Sequence, residues 1–356
     1  MTSRRPYRLA VTTTAVAALA FGAVACGNGE QAATGNGKVP VVVSTNVWGS
    51  VVNAVGGDKV SVKAIIDDPS GDPHSYQSTP EDAADVTGAK LLVANGGGYD
   101  DFFTQMAAQA PDARKVNAFD VSGHAAEAGQ EPGHAEPSAP APSAAEPGHE
   151  ESGHAEPGHS EPGHEGEAGH QEPGHESHEH GEVNEHVWYD LPTVSKVADQ
   201  VATQLGELQP ADAAVFTANA TQFKGKVDEL IKQAEQIGTT HPDRKVVATE
   251  PIAHYLLDTA KVADATPPEF AKAIEEESEV PAAAQDAMNQ LVTGKQVNAV
   301  INNAQTTTPA TEQLVNTAKG AGVPVVDVTE TLPAGVTDYI AWMTQEVNDL
   351  AAALGR

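Results

Sequence analysis

The chain has 356 residues, with 20 Lys plus Arg against 50 Asp plus Glu, for a formal charge of −30. A balance this acidic argues against nucleic acid or an anionic membrane surface as the main partner, and it suits cations. The single cysteine allows neither an internal disulfide nor a cysteine-based zinc knuckle.

In chain order, residues 1–25 read as a lipoprotein signal peptide. Arg4, Arg5 and Arg8 precede the apolar, Ala-rich run Leu9–Ala25, which is too short for a convincing membrane span. The run closes on Ala23-Val24-Ala25-Cys26, small residues before the only cysteine, which marks Cys26 for lipidation. Residues 26–38 then form a flexible tether rich in Gly, Asn, Gln and Thr. Such an anchor holds an exported protein on the outer face of the cytoplasmic membrane.

Ordered sequence starts at Val39. The runs Val39–Ser44, Val60–Ile66, Lys90–Ala94 and Lys115–Phe119 read as strands, with helical stretches at Trp48–Val55, Pro80–Thr87 and Asp100–Gln109. Strands alternating with helices predict an α/β lobe with a mostly parallel sheet, over residues 39–210.

Residues 121–185 interrupt this lobe and differ in kind. They hold 10 of the 14 histidines, 15 Glu, 11 Gly and 8 Pro, with no Lys or Arg and no Leu, Ile, Met, Phe, Tyr or Trp. Such a segment cannot bury a core, so disorder is expected. Glu-Pro-Gly-His occurs five times, each unit offering one carboxylate and one imidazole. Imidazole suits zinc, copper and nickel. His124, His134, His149, His154, His159, His164, His170, His175, His178 and His180 thus read as a weak metal-gathering loop.

After the insert, Leu191–Leu208 is helical. Residues 211–238 carry Phe216, Ala220, Phe223, Val227, Leu230, Ile231, Ala234 and Ile237 at helical spacing. This is the one helix of such length, and it sits between two α/β halves. In the second lobe, 239–356, the alternation returns over Lys245–Ala248, Tyr255–Ala260, Pro281–Thr293, Asn298–Ile301, Thr311–Ala318, Pro324–Val328 and Thr337–Leu354.

Four residues outside the insert's repeats could make a fixed site. His74 lies in a Pro/Gly/Asp loop after the strand Val60–Ile66, and His186 lies where order resumes before a helix. Glu250 and Glu330 each follow a strand. Ligands favour the carboxyl ends of parallel strands. Two imidazoles and two carboxylates suffice to close a site around a divalent ion. Asn302, Asn303 and Asp327 are candidate supports for such ligands, and Trp188 could wall the site beside His186.

Asp72-Pro73-His74-Ser75-Tyr76, Thr79-Pro80, Asn95-Gly96-Gly97-Gly98-Tyr99, His186-Val187-Trp188 beside an acidic His-rich insert, Thr249-Glu250-Pro251 with Tyr255, and Val328-Thr329-Glu330 stand in order along the chain. In these motifs, from Val39 onward, the chain resembles the cluster 9 (zinc/manganese type) solute-binding proteins of bacterial ABC importers. The resemblance implies two α/β lobes joined by one long rigid helix, with the metal site in the interlobe cleft. It implies His74, His186, Glu250 and Glu330 as ligands, with His254 as the fallback third ligand. It also implies an ABC permease and its ATPase as partners of a monomer.

The cargo expected is Zn(II), because manganese binds imidazole weakly and the insert is rich in it, while the oxygen-rich fixed site leaves Mn(II) as an alternative. A metal-buffering or adhesin lipoprotein would use the same ligands. A zinc hydrolase is disfavoured, because there is no HExxH pairing and no open coordination position. The expectation is a binding protein and not an enzyme.

Overall fold

The structure, a computed structural model, describes residues 37–69, 71–124, 184–276 and 278–355. The signal peptide, Cys26, most of the tether and the nine insert histidines from His134 to His180 lie outside the described residues.

The first half forms a parallel sheet from β1 (Val39–Thr45), β2 (Val60–Ile66), β3 (Leu91–Ala94) and β4 (Arg114–Asn117), in the order β2-β1-β3-β4. The second half repeats that order as β6-β5-β7-β8, from β5 (Lys245–Ala248), β6 (Ala263–Asp264), β7 (Ala299–Asn303) and β8 (Val325–Val328). Helices connect the strands: α1 (Asn46–Gly56), α2 (Pro80–Gly88), α3 (Asp101–Ala108) and α4 (Ala118–Ser122) in the first half. After the insert come α5 (Leu191–Leu208) and α6 (Ala213–Thr240), then α7 (His254–Thr259), α8 (Pro268–Glu275), α9 (Ala282–Thr293), α10 (Pro309–Ala321) and α11 (Tyr339–Leu354). The two-lobed parallel α/β architecture with one long helix is therefore the one expected.

Strand alternation decides what each sheet face packs against. Val41, Val43, Leu91 and Val93 point to one side, and Val246, Ala248, Ala299 and Ile301 do the same in the second sheet. These two inner faces belong to a single apolar core that also takes in Phe216, Phe223, Val227 and Leu230 of α6. The outer faces pack separately, with Val42 and Leu92 against Phe103 in one half and Val247 and Val300 against Met288 in the other.

Several boundaries differ from expectation. The long helix is Ala213–Thr240 rather than 211–238. Pro210–Asp212 winds as a separate 3-10 turn before it. Gly238 does not end it, because glycine is needed there for close approach: a Cβ would lie 2.5 Å from the Ala260 carbonyl oxygen. The strand expected over Lys115–Phe119 stops at Asn117, whose side chain accepts from Asp120 N at 3.0 Å and starts α4. That helix carries Val121 and Ser122, and Glu185 is mostly shielded from solvent, so the insert is shorter at both ends than 121–185.

Candidate metal centre

His74, Glu250 and Glu330 each sit beyond the carboxyl end of a strand, and His186 follows the insert. His74 follows β2 in a loop fixed by Asp72, whose carboxylate accepts from His74 N at 2.9 Å and from Ser75 Oγ at 2.8 Å. His186 follows the insert and opens onto α5. Its backbone N–H donates to Asn184 Oδ1 at 2.9 Å, and its Nδ1 lies 2.9 Å from the same oxygen. An amide oxygen only accepts, so the ring proton sits on Nδ1 and the Nε2 lone pair is available to an ion. Glu250 follows β5 and Glu330 follows β8.

The structure brings ligand atoms of His74, His186 and Glu330 within 4.8 Å of one another, with His74 exposed and the other two buried. Glu250 is not in that group but stands beside Glu330. The Asn303 amide at the end of β7 donates to both, to Glu250 Oε2 at 2.6 Å and Glu330 Oε1 at 2.8 Å. Thr306 also donates to Glu250, and Tyr99 Oη donates to the other Glu330 oxygen at 3.2 Å. The Tyr99 ring meets His74 edge-on, with centroids 5.1 Å apart. Trp188 lies 5.1 Å from the His186 ring, also edge-on.

The electrostatics suit a bound cation. Burial, with the His74 and His254 imidazoles nearby, lowers His186 to about 3, so its ring is neutral at physiological pH. Burial and then the like charge of Glu250 raise Glu330 to about 7. Burial also raises Glu250. Two desolvated carboxylates joined through one amide are costly unless a cation neutralises them.

His254, the fallback ligand, acts on His186 through its imidazole but is not among the three residues whose ligand atoms converge. It is half-exposed, with Nε2 3.4 Å from Asp258 on its own helix. Asn302 and Asp327, the other candidate supports, bond each other at 2.8 Å on the surface. His124 is the one insert histidine described. It lies 3.0 Å from Asp190 and stacks on Tyr255 at 4.6 Å, so it packs on the folded lobes. Glu185, Gln305 and Thr306 carry no sequence signal of their own, and Tyr99 stands only as the end of the Asn95–Tyr99 motif. The Gly-rich run before Tyr99 was the one signal that could have found any of them.

Gln305 joins the two halves at this centre. Its Nε2 donates to the Pro69 carbonyl at 2.6 Å, and its Oε1 accepts from Glu330 N at 2.7 Å and Thr331 N at 3.0 Å. The His74 loop and the Glu330 loop are thereby tied through one side chain.

The family model described as "ZnuA: Zinc-uptake complex component A periplasmic" matches residues 41–353. The manganese ABC transporter substrate-binding lipoprotein PsaA of Streptococcus anginosus is 24% identical over 232 residues, covering 64% of this chain and 60% of that protein. The chain thus spans about 60% of the length of the curated relative it matches. Among solved structures, the periplasmic zinc binding protein TroA from Treponema pallidum aligns over 90% of this chain and 100% of its own, at 17% identity and a TM-score of 0.64. A crystal structure of ZnuA aligns over 89% of this chain and 99% of its own, at 18% identity and a TM-score of 0.62. At these identities the structural likeness establishes the fold.

Proposed function

The chain belongs to the family of the periplasmic zinc-uptake complex component A, and from that premise we propose that it is the extracytoplasmic solute-binding component of an ABC importer, capturing Zn(II) and delivering it to the membrane permease and its ATPase. The family is one of metal-uptake binding components, not of enzymes, so the hydrolase alternative falls away. The observation that supports the proposal best is the convergence of His74, His186 and Glu330 at the ends of both sheets. Glu250, tied to Glu330 through Asn303, is the fourth ligand proposed. Lipidation at Cys26 would hold the protein beside its permease, in keeping with the lipoprotein named among its relatives.

Capture is a ligand exchange in which an ion leaves water, or the weak imidazoles of the insert, for preset donors. The His186 tautomer is already correct and the ring is already neutral, so binding displaces no proton from it. A second reading, with Mn(II) as cargo, is favoured by the paired carboxylates and by the manganese named for the streptococcal relative.

The test is metal analysis of the purified protein after competition between equal Zn(II) and Mn(II). One tightly held ion is expected, and zinc should win. Changing His74 or His186 to Ala should weaken it by more than the ~100-fold that outer-shell substitutions reach. Retention of manganese under equal competition would overturn the zinc assignment. Full affinity in both alanine variants would overturn the site.

A further inference from the structure

Glu185 belongs to neither the proposed ligand set nor the insert's repeats. Its carboxylate is mostly shielded, with a side chain 18% exposed, and its Oε1 faces His74 Nε2 at 3.9 Å. The residue is pinned through its main chain, because its carbonyl accepts from Asn95 Nδ2 at 2.9 Å and from Val187 N at 2.7 Å. Its neighbour His186 is itself one of the converging donors. The side chain therefore springs from a fixed point at the rim of the centre.

The 3.9 Å separation is too long for a hydrogen bond. It is the right scale for two atoms on one ion. Donors each about 2.1 Å from a common centre lie about 3 Å apart at a right angle and about 4.2 Å apart when opposite. Glu185 stands just outside the group formed by His74, His186 and Glu330, so its side chain has to close on them for one ion to be shared.

We propose that Glu185 is a further protein ligand, adding a carboxylate oxygen to the ion held by His74 and extending the selectivity of the centre from zinc towards manganese. The inference rests on the reading of this centre as a divalent-metal site. Zinc is satisfied by the four donors already proposed, whereas manganese is a harder ion that takes oxygen and a larger coordination number. Losing one oxygen should therefore cost manganese more than zinc. A purely long-range effect of the negative charge would weaken both ions by the same factor, because both carry the same charge.

The experiment is separate titration of the full exported chain with Zn(II) and with Mn(II), in competition with a chelating dye. Wild type is compared with Glu185→Gln, which keeps the shape, and with Glu185→Asp and Glu185→Ala. In Glu185→Gln, Mn(II) affinity should fall about tenfold or more, the range over which even outer partners of a metal act, while Zn(II) affinity should fall less than about threefold. Glu185→Asp should recover part of the manganese loss. The Co(II)-loaded Glu185→Gln protein should absorb more strongly in the visible as its coordination number falls. Equal weakening of both ions, or no weakening of either, overturns the proposal while leaving the metal site itself standing. Failure of the wild type to bind either ion overturns the metal reading and this inference with it. Should Glu185→Gln lose its thermal unfolding transition, the Zn/Mn comparison in Glu185→Asp decides in the same way.

Discussion

Glu346 on α11 is a carboxyl group with 6% exposure among apolar neighbours, far from any proposed ligand role. Burial pushes it up to about 8, and Asp349 and Asp327 add like charge. A folded-state value above the unfolded one means that the native protein holds a proton the unfolded chain releases. This stabilisation is complete below the unfolded value near 4.5 and is lost as pH rises through about 8. Glu346→Gln should thus stabilise the protein at pH 9 relative to wild type, by up to about 4 kcal/mol, and much less at pH 5. Thermal unfolding at the two pH values checks this, and an equal shift at both would contradict it. The legibility of the centre divides at the same scale. His74, His186, Glu250 and Glu330 could be found because each is a metal-capable residue just past a strand end or before a helix. In sequence Glu185 is one of the fifteen Glu of the insert, because its burial depends on contacts with Asn95 that no local pattern encodes. Gln305 carries no charge and no periodic signal, so its tie to Pro69 could be seen only in three dimensions.

Loops between elements set where those residues point. Gly96, Gly97 and Gly98 have φ of 78°, 70° and 95°, a region that other residues adopt only with strain. At Gly96 a Cβ would also fall 2.2 Å from Asn117 Oδ1, whereas at Gly98 nothing lies within 4 Å. Gly98→Ala should therefore cost about 1–2 kcal/mol from backbone strain alone. Gly96→Ala should cost roughly 1–3 kcal/mol more, because the Asn117 side chain that caps α4 must move. Urea unfolding of the two variants measures the difference. Gln305 gives a second prediction. Gln305→Ala should speed amide hydrogen exchange in residues 71–76, and an increase confined to 329–332 would show that it shapes only the Glu330 loop. Most elements were legible from periodicity, down to β2, α5 and β5 residue for residue. The misses were short. The strand Ala263–Asp264 has two residues and no alternation to detect. The helix Pro268–Glu275 begins behind Thr266-Pro267-Pro268, which reads as a breaker, although proline is well tolerated in the first turn.

Across the whole molecule, both sheets give one face to the same core, so neither half is closed off from the other. Further ties cross between the halves: Asn46 exchanges two hydrogen bonds with Leu332, Tyr189 bonds Thr329, and Tyr255 donates to Asn184 at 2.6 Å. Deleting residues 126–182 should leave this framework and its tight metal stoichiometry intact and remove only weak binding, as calorimetric titration would show. A deletion that also takes His124 would remove its packing on Tyr255 and its contact with Asp190, so the junction matters. The matching strand orders carry one more consequence. His186 comes between the last strand of the first sheet and α5, and Glu330 comes between the last strand of the second sheet and α11; both helices pack on α6. The two residues hold matching places in the two halves, each after the last strand of its sheet and before a helix that packs on α6. Trading their identities would leave the inventory of donors unchanged. The double exchange His186→Glu with Glu330→His should therefore hold zinc more tightly than either single exchange, because it keeps one imidazole and one carboxylate at the two matched places.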